Sequence, residues 1–356
     1  MYRFVSQVSK RIAHRLRVFP PIAATLLVAL HSAPQSASAI DIAFTTVPTL
    51  SGKTLRGVYA SGSSVYAATA ANGVYISTDS ASNWTNYTTT NGLGNNSTYS
   101  VFASGSNVYA GSLGTSNNGV SLSANGGTSW SGTLNGDTTR GVYASGSTVY
   151  AATNSNGLKI STDGGSTFSV TKTTSNGLGS NSMLGIYASG LNVYAATNSG
   201  LSISTDGGSS FTNTLSGNTV YGVYAIGSNI YAGMLSGLAI STDGGANWVT
   251  RTTANGLGNN TVRGVYSDGT YIYAATSGGG VAVSDNGGTS FTKFTVANSG
   301  LADNTVFGII AVGNTVYAAT NGGLSKGVLT VPEPSTFVLG AISTVAIAWA
   351  ARRRRK

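Results

Sequence analysis

The sequence carries one internal repeat seven times, and this periodicity limits the folds open to the chain more than any other feature. A Val-Tyr-Ala or Ile-Tyr-Ala phrase follows a Gly-containing turn, with its tyrosine at Tyr66, Tyr109, Tyr150, Tyr194, Tyr231, Tyr273 and Tyr317. The intervals are 43, 41, 44, 37, 42 and 44 residues. One unit contains four strand-like runs, GVYAS, TVYAAT, GLKIST and STFSV, each bounded by Gly, Asn, Ser or Asp. Four strands in about 42 residues is the blade period of a β-propeller.

The two ends of the repeated region indicate how the ring closes. The seventh unit has its first strands, FGIIAVG and TVYAAT, but ends at GGLSKGVLTV without a fourth. The segment IAFTTVPTLSGKTLRG resembles the fourth strand and exit of another unit, SFTNTLSGNTVYG. We therefore predict an all-β, seven-bladed propeller of four-stranded blades over residues 40–330, its last blade completed by an N-terminal strand that removes the open edge. Six or eight blades and an open solenoid, which would need distinct caps, are the alternatives.

Residues 1–39 have the organisation of a secretory signal peptide. A basic stretch precedes an apolar run from Val18 to Leu30, and Ala37-Ser38-Ala39 fits the small-x-small pattern that signal peptidase reads. We expect cleavage after Ala39, which makes Ile40 the first residue of the mature chain. An N-terminal membrane anchor is the alternative, although the apolar run is short for a span.

Residues 331–356 form a second targeting segment. Pro332, Glu333 and Pro334 precede an uncharged, mostly apolar helix candidate at 336–351, and Arg352–Arg355 follow it. These three parts, in this order at the C-terminus, resemble the PEP-CTERM sorting signal. The resemblance implies processing by an exosortase near the triplet, transient or permanent anchoring of this helix in the inner membrane, and delivery to the cell surface or exopolysaccharide matrix of Gram-negative-type bacteria. A plain C-terminal anchor is the alternative.

Charge and composition exclude several kinds of site. The formal net charge of +9 comes from the two ends, because residues 40–331 contain nine Lys or Arg and nine Asp. We therefore expect no nucleic-acid partner. The chain has no Cys, and its histidines, His14 and His31, and its one glutamate, Glu333, lie outside the repeats. The sequence thus predicts no disulfide, no metal site and no cofactor.

An acidic phrase recurs six times, as in STDGGSTF at residues 161–168. It resembles the Asp-box (BNR-like) motif of sialidases, xyloglucan-degrading enzymes, sortilin-type receptors and photosystem II assembly propellers. The Gly-Leu-x-x-Asn-x-Val phrases that come before innermost strands, as in NGLGNNTVRGVY, are similar to the propeller repeats of two-component regulators. The third position of the box is Asp79, Asn125, Asp163, Asp206, Asp243 and Asn286. Because Asn replaces Asp twice, we predict an Asx-turn that joins the third and fourth strands rather than a calcium or catalytic site.

The connections between blades offer the candidate ligand site. Four long ones carry NGLGNN, NGLGSN, NGLGNN and SGLADN, and we interpret them as turns near the channel mouth that could also bind a sugar or peptide. Arg56, Arg140 and Arg263 precede the innermost strands of blades 1, 3 and 6 and could hold carboxylates or phosphates of an acidic polysaccharide. When the seven repeats are aligned with one another, the other four blades have Ser100, Gly185, Gly222 and Gly308 at the position of these arginines.

The repeats lack a complete catalytic set. A sialidase needs a glutamate to activate its tyrosine, and a Ser-His-Asp triad needs a histidine. The acidic candidates outside the boxes are Asp41, Asp137, Asp268 and Asp303, of which Asp137 and Asp303 lie in predicted mouth loops. We therefore expect a non-enzymatic binding or scaffold module with an exopolysaccharide or surface protein as partner. A glycan-processing hydrolase and a detached sensor propeller are the alternatives.

Overall fold

The computed structural model describes residues 40–114 and 119–330. The predicted signal peptide with Ala37 and Ala39, and the predicted sorting signal with Pro332, Glu333 and Pro334, lie outside the described residues. Within the described residues, no helix has the length and apolar character needed to cross a membrane.

The described chain forms seven antiparallel sheets of four strands each. The innermost strands are β2 (Leu55–Ser61), β6 (Thr98–Ser104), β10 (Thr139–Ser145), β14 (Met183–Ser189), β18 (Val220–Ile226), β22 (Val262–Ser267) and β26 (Val306–Val312). The second strands are β3 (Ser64–Thr69), β7 (Asn107–Ser112), β11 (Thr148–Thr153), β15 (Asn192–Thr197), β19 (Asn229–Met234), β23 (Ile272–Thr276) and β27 (Thr315–Thr320).

The outer half of each blade is shorter. The third strands are β4 (Val74–Ser77), β8 (Val120–Ser123), β12 (Leu158–Ser161), β16 (Gly200–Ser204), β20 (Gly237–Ser241), β24 (Gly280–Ser284) and β28 (Gly323–Thr330). The outermost strands are β5 (Thr85–Tyr87), β9 (Ser131–Leu134), β13 (Val170–Lys172), β17 (Thr212–Thr214), β21 (Val249–Arg251), β25 (Thr292–Phe294) and, in blade 7, β1 (Asp41–Thr46).

The ring closes through blade 7, as the sequence predicts. Strand β1 pairs with β28 in antiparallel register from Asp41 opposite Thr330 to Thr46 opposite Ser325. The innermost strands contact each other in sequence around the ring, and β26 contacts β2. The N-terminal strand therefore supplies the outermost strand that the seventh repeat lacks, and the predicted seven-bladed propeller is confirmed.

The sheets are held together by apolar contacts between neighbouring blades. Each second strand is buried on both faces because it is covered by a blade on either side, and its residues alternate between the two interfaces. In β3, Tyr66 and Ala68 pack towards blade 2, whereas Val65 and Ala67 pack towards blade 7. Each face of the strand therefore carries one larger residue and one alanine, which explains the Val-Tyr-Ala-Ala phrase that defines the repeat.

The long connections are wedges between blades. Each begins with a helical turn, at Thr89–Asn91, Thr174–Asn176, Thr253–Asn255 and in the single described α-helix, α1 (Val296–Ser299). The leucine that follows is buried in an interblade core at Leu93, Leu178, Leu257 and Leu301. The backbone amide of Trp130 in blade 2 donates to the carbonyl of Asn91 at 3.1 Å, which ties one blade to the next. These Asn- and Gly-rich loops therefore stabilise the ring.

The propeller has two distinct faces. We call the end where the innermost strands begin the mouth face and the end with the hairpins between first and second strands the turn face. The Asp-boxes lie on the turn face, where the Gly164 amide donates to the carbonyl of Ser147 in such a hairpin. The described chain also ends there, because the amide of Leu329 donates to Asn314 in the corresponding hairpin of blade 7.

Candidate functional site

A β-bulge at the start of every innermost strand builds the channel mouth. In blade 1, Leu55 pairs with Thr69 and Gly57 pairs with Ala68, so Arg56 has no partner in the ladder. The same one-residue shift occurs in the other six blades. A bulge turns the side chain of its extra residue away from the regular alternation, so each blade contributes one side chain to the mouth.

The seven bulge residues line a single cavity of about 190 Å³. In order around the ring they are Arg56, Tyr99, Arg140, Leu184, Tyr221, Arg263 and Phe307. The structure therefore brings the three predicted arginines together at one site. Their sequence alignment with Ser100, Gly185, Gly222 and Gly308 is wrong by one residue, because those residues are equivalent to the glycine after each arginine. The true equivalents include three aromatic residues, which the sequence analysis did not identify as part of the site.

The arginines are stacked on these aromatic rings. The guanidinium carbons of Arg56 and Arg140 lie 4.1 Å and 5.0 Å from the centroid of the same Tyr99 ring. The guanidinium carbon of Arg263 lies 4.9 Å from the Tyr221 centroid and 5.7 Å from that of Phe307. Cation–π contacts hold a guanidinium by its face, so the N–H groups at its edge stay available for a ligand.

Few of those N–H groups have partners in the protein. Arg56 donates through Nη1 to the hydroxyl of Ser97 at 3.0 Å, and Arg140 donates through Nε to the side-chain carbonyl of Asn154 at 2.8 Å. The Nε of Arg263 is buried without a hydrogen-bond partner. The only ion pair among the described residues joins Lys159 and Asp137. Among the described residues, the mouth therefore carries three cations without a carboxylate partner.

In each Asp-box, the side chain of the aspartate or asparagine at the third position stabilises a turn by hydrogen bonds. In the third box, Oδ1 of Asp163 accepts from the Ser161 hydroxyl and the Thr167 amide, and Oδ2 accepts from the Thr167 hydroxyl. These hydrogen bonds lower the pKa of Asp163 to about 2. Asn125 makes the equivalent contacts, accepting from the amide of Ser129 and donating to its hydroxyl. No group of His, Asp or Glu in the described part of the chain is arranged to hold a metal ion.

Three of the other four acidic candidates, Asp137, Asp268 and Asp303, are engaged in local contacts. Asp137 is 8 % exposed, accepts a hydrogen bond from the side-chain amide of Asn156, and pairs with Lys159 at 3.6 Å. Asp303 accepts from the amide of Thr305 in a turn before β26. Asp268 lies on the turn face, where it accepts from the amides of Thr270 and Tyr271.

Comparison with known proteins supports both the sorting signal and the fold. Residues 330–355 match the PEP-CTERM protein-sorting motif. The chain therefore carries a signal for export and for membrane-anchored or surface localisation, and this motif implies processing by an exosortase. The search of curated proteins gives no match.

Solved structures share the propeller fold at low sequence identity. The extracellular domain of a hybrid two-component system from B. thetaiotaomicron is 16 % identical, with a TM-score of 0.66 over 80 % of this chain and 41 % of that one. YCF48 from Cyanidioschyzon merolae is 17 % identical, with a TM-score of 0.59 over 80 % of this chain and 98 % of that one. The GH74 enzyme of Niastella koreensis is 18 % identical, with a TM-score of 0.60 over 80 % of this chain and 53 % of that one.

These similarities define the class of the molecule. It is a seven-bladed β-propeller with a PEP-CTERM sorting signal, and the structures it resembles include an extracellular domain of a two-component system and a GH74 enzyme. The chain spans less than half the length of the two-component system structure that it resembles.

Proposed function

We propose that this protein is a non-enzymatic binding module of the cell surface or extracellular matrix, and that its channel mouth binds a carboxylate-bearing polysaccharide. The ring of three arginines without an acidic partner in the described structure carries this proposal. Arginine edges form bidentate hydrogen bonds with carboxylates, which gives both affinity and orientation.

The aromatic neighbours fit a sugar better than a simple ion. Tyr99, Tyr221 and Phe307 are half-buried, so part of each ring faces the mouth. An aromatic ring provides a rigid apolar surface with little loss of conformational entropy. A uronate unit has both a carboxylate for an arginine and an apolar face of C–H groups for such a ring. The last described strand, β28, ends at the turn face, at the opposite end of the propeller from the mouth.

The resemblance to a GH74 enzyme and to an extracellular domain of a two-component system supports two alternative functions, a glycan hydrolase and a sensor. For hydrolysis, Asp137 and Asp303 are the acidic groups nearest the mouth loops, but Asp137 is already bound to Asn156 and Lys159. A sensor would have to pass ligand binding on to an output domain, which a binding module does not require. Release of reducing ends from a surface glycan, abolished by Asp137→Asn or Asp303→Asn, would contradict the non-enzymatic proposal.

The test is a titration of the whole chain with polygalacturonate and with neutral dextran. We expect binding of the acidic polymer, and about a tenfold or greater loss of affinity in the variant Arg56→Gln/Arg140→Gln/Arg263→Gln. The matched control is Lys172→Gln/Lys293→Gln/Lys326→Gln, which removes the same charge from the outer strands β13, β25 and β28 and should bind as the wild type does. Equal losses in both variants would indicate non-specific attraction, and an unchanged mouth variant would exclude the site.

A further inference from the structure

The channel contains a second cavity, of about 330 Å³, on the turn-face side of the arginine ring. Its lining has no charged side chain. The principal contacts come from one position per blade, three residues after the bulge, which we call the tyrosine collar: Tyr59, Phe102, Tyr143, Tyr187, Tyr224, Tyr266 and Ile310. The centroids of neighbouring rings in the collar are 4.2 to 4.9 Å apart.

The hydroxyl groups of the collar meet inside the ring. The hydroxyl groups of Tyr143 and Tyr187 lie near enough to shift each other's pKa, as do those of Tyr187 and Tyr224 and those of Tyr224 and Tyr266. Tyr59, from blade 1, interacts electrostatically with Tyr143, in blade 3, and with tyrosines of blades 5 and 6. Burial raises the pKa of Tyr143 to about 12. The collar thus presents neutral hydroxyls, each able to donate and to accept a hydrogen bond.

Packing of the ring does not require these hydroxyl groups. Phe102 occupies the same position in blade 2, and its ring lies 4.7 Å from Tyr59 and 4.2 Å from Tyr143. Ile310 occupies it in blade 7. Two of the seven blades therefore fill this position without a polar group, whereas the other five direct a hydroxyl to a cavity whose tyrosine side chains are half-buried and reachable by solvent.

We propose that the tyrosine collar binds a neutral polyhydroxylated ligand, the end of a neutral saccharide chain. Sugar hydroxyls can exchange hydrogen bonds with the tyrosine hydroxyls, and the ring faces can pack on the sugar's C–H groups. A charged group would lose its hydration in a cavity without a counter-charge, so the chemistry differs from that of the arginine mouth. The cavity is at the lower end of the size range of small-molecule sites.

The test is calorimetric titration of the whole chain with maltotriose and with cellotriose. At least one should bind with a dissociation constant below about 10 mM, and Tyr187→Phe/Tyr224→Phe should weaken it about tenfold by removing two hydroxyls while keeping both rings. Phe102 shows that phenylalanine is accommodated at this position. Tyr150→Phe removes a hydroxyl that donates to Gly207 outside the cavity, and it should leave the affinity unchanged.

Absence of binding by both trisaccharides, or equal affinity in the wild type and the double variant, would overturn the proposal. The triple arginine variant distinguishes the two sites. It should retain neutral trisaccharide binding while losing polygalacturonate, so failure of either proposal can be recognised independently of the other.

Discussion

The guanidinium carbon of Arg56 lies 4.1 Å from the centroid of the Tyr99 ring, so a cation of blade 1 rests on an aromatic residue of blade 2. Arg140 of blade 3 lies over the same ring. The mouth is thus assembled from neighbours that are about 40 residues apart in sequence and adjacent only in the closed ring. This arrangement makes Tyr99 a positioning residue for two arginines.

Replacement of Tyr99 should therefore weaken binding of an acidic polysaccharide. We expect Tyr99→Leu to raise the dissociation constant for polygalacturonate about two- to fivefold, because a cation–π contact at a partly exposed site contributes about 0.5–1 kcal/mol. Calorimetric titration would measure the change. Tyr271→Leu, on the turn face, is the control and should bind normally. A Tyr99 variant with full affinity would show that the stacking does not position the arginines.

The Asp-boxes should make stability depend on acid pH. Hydrogen bonds hold the pKa of Asp79, Asp163 and Asp243 at about 2, below the value of 3.8 for the free group, and they lower that of Asp206 as well. Between pH 4 and pH 2 the unfolded chain therefore binds more protons. This contribution to stability is fully present above pH 4 and is lost as the pH falls through 2.

Conversion of these four aspartates to asparagine should flatten that dependence, because Asn125 and Asn286 make the same turn contacts without a titrating group. Thermal unfolding at pH 2, 3, 4 and 7 would compare the variant with the wild type. Parallel curves for the two proteins would contradict the assignment of this pH dependence to the boxes.

The first box has a strained residue that glycine should relieve. Ser80 has φ of 58°, whereas the other five boxes have glycine at this position, as at Gly164 with φ of 74°. We expect Ser80→Gly to stabilise the protein by about 0.5–1 kcal/mol in urea denaturation. The reverse substitution, Gly164→Ser, should destabilise it through the backbone alone, because a Cβ there meets no atom within 4 Å. Destabilisation by Ser80→Gly would contradict the strain.

The wedge leucines should contribute strongly to stability. Leu178 is 4 % exposed and packs in the core between blades 3 and 4 with Phe211 and Met183. Leu178→Ala should cost about 2–4 kcal/mol in urea denaturation, since it leaves a cavity at an interblade contact. Leu191, which is 68 % exposed on the turn face, provides the control. A cost for Leu178→Ala no greater than for Leu191→Ala would show that the connection does not wedge the blades.

The blades were predictable because each repeat carries its own turn chemistry. Gly-rich hairpins, the Asp-boxes and the unpaired strand of the seventh repeat determine the number of strands and the closure through β1. The mouth was predictable only in part. The arginines stand out as rare charges, but a bulge shifts the alignment by one residue and conceals their equivalence to Tyr99, Tyr221 and Phe307.

The tyrosine collar was missed for a different reason. In five of the seven innermost strands a tyrosine occupies this position, and from the sequence it is an ordinary alternating strand residue. Its hydroxyl meets those of other blades only once the ring is closed, as with Tyr143 and Tyr187. A sequence signal existed in the recurrence of tyrosine three residues after the bulge, but a periodicity cannot show whether a side chain faces a core or a channel.

The most direct measurement is a crystal structure of the chain with a galacturonate trisaccharide. The proposed function predicts the sugar at the mouth, with a carboxylate oxygen about 2.7–3.2 Å from a terminal N–H group of Arg56, Arg140 or Arg263. A trisaccharide bound elsewhere on the propeller, with the mouth unoccupied at saturating concentration, would contradict it.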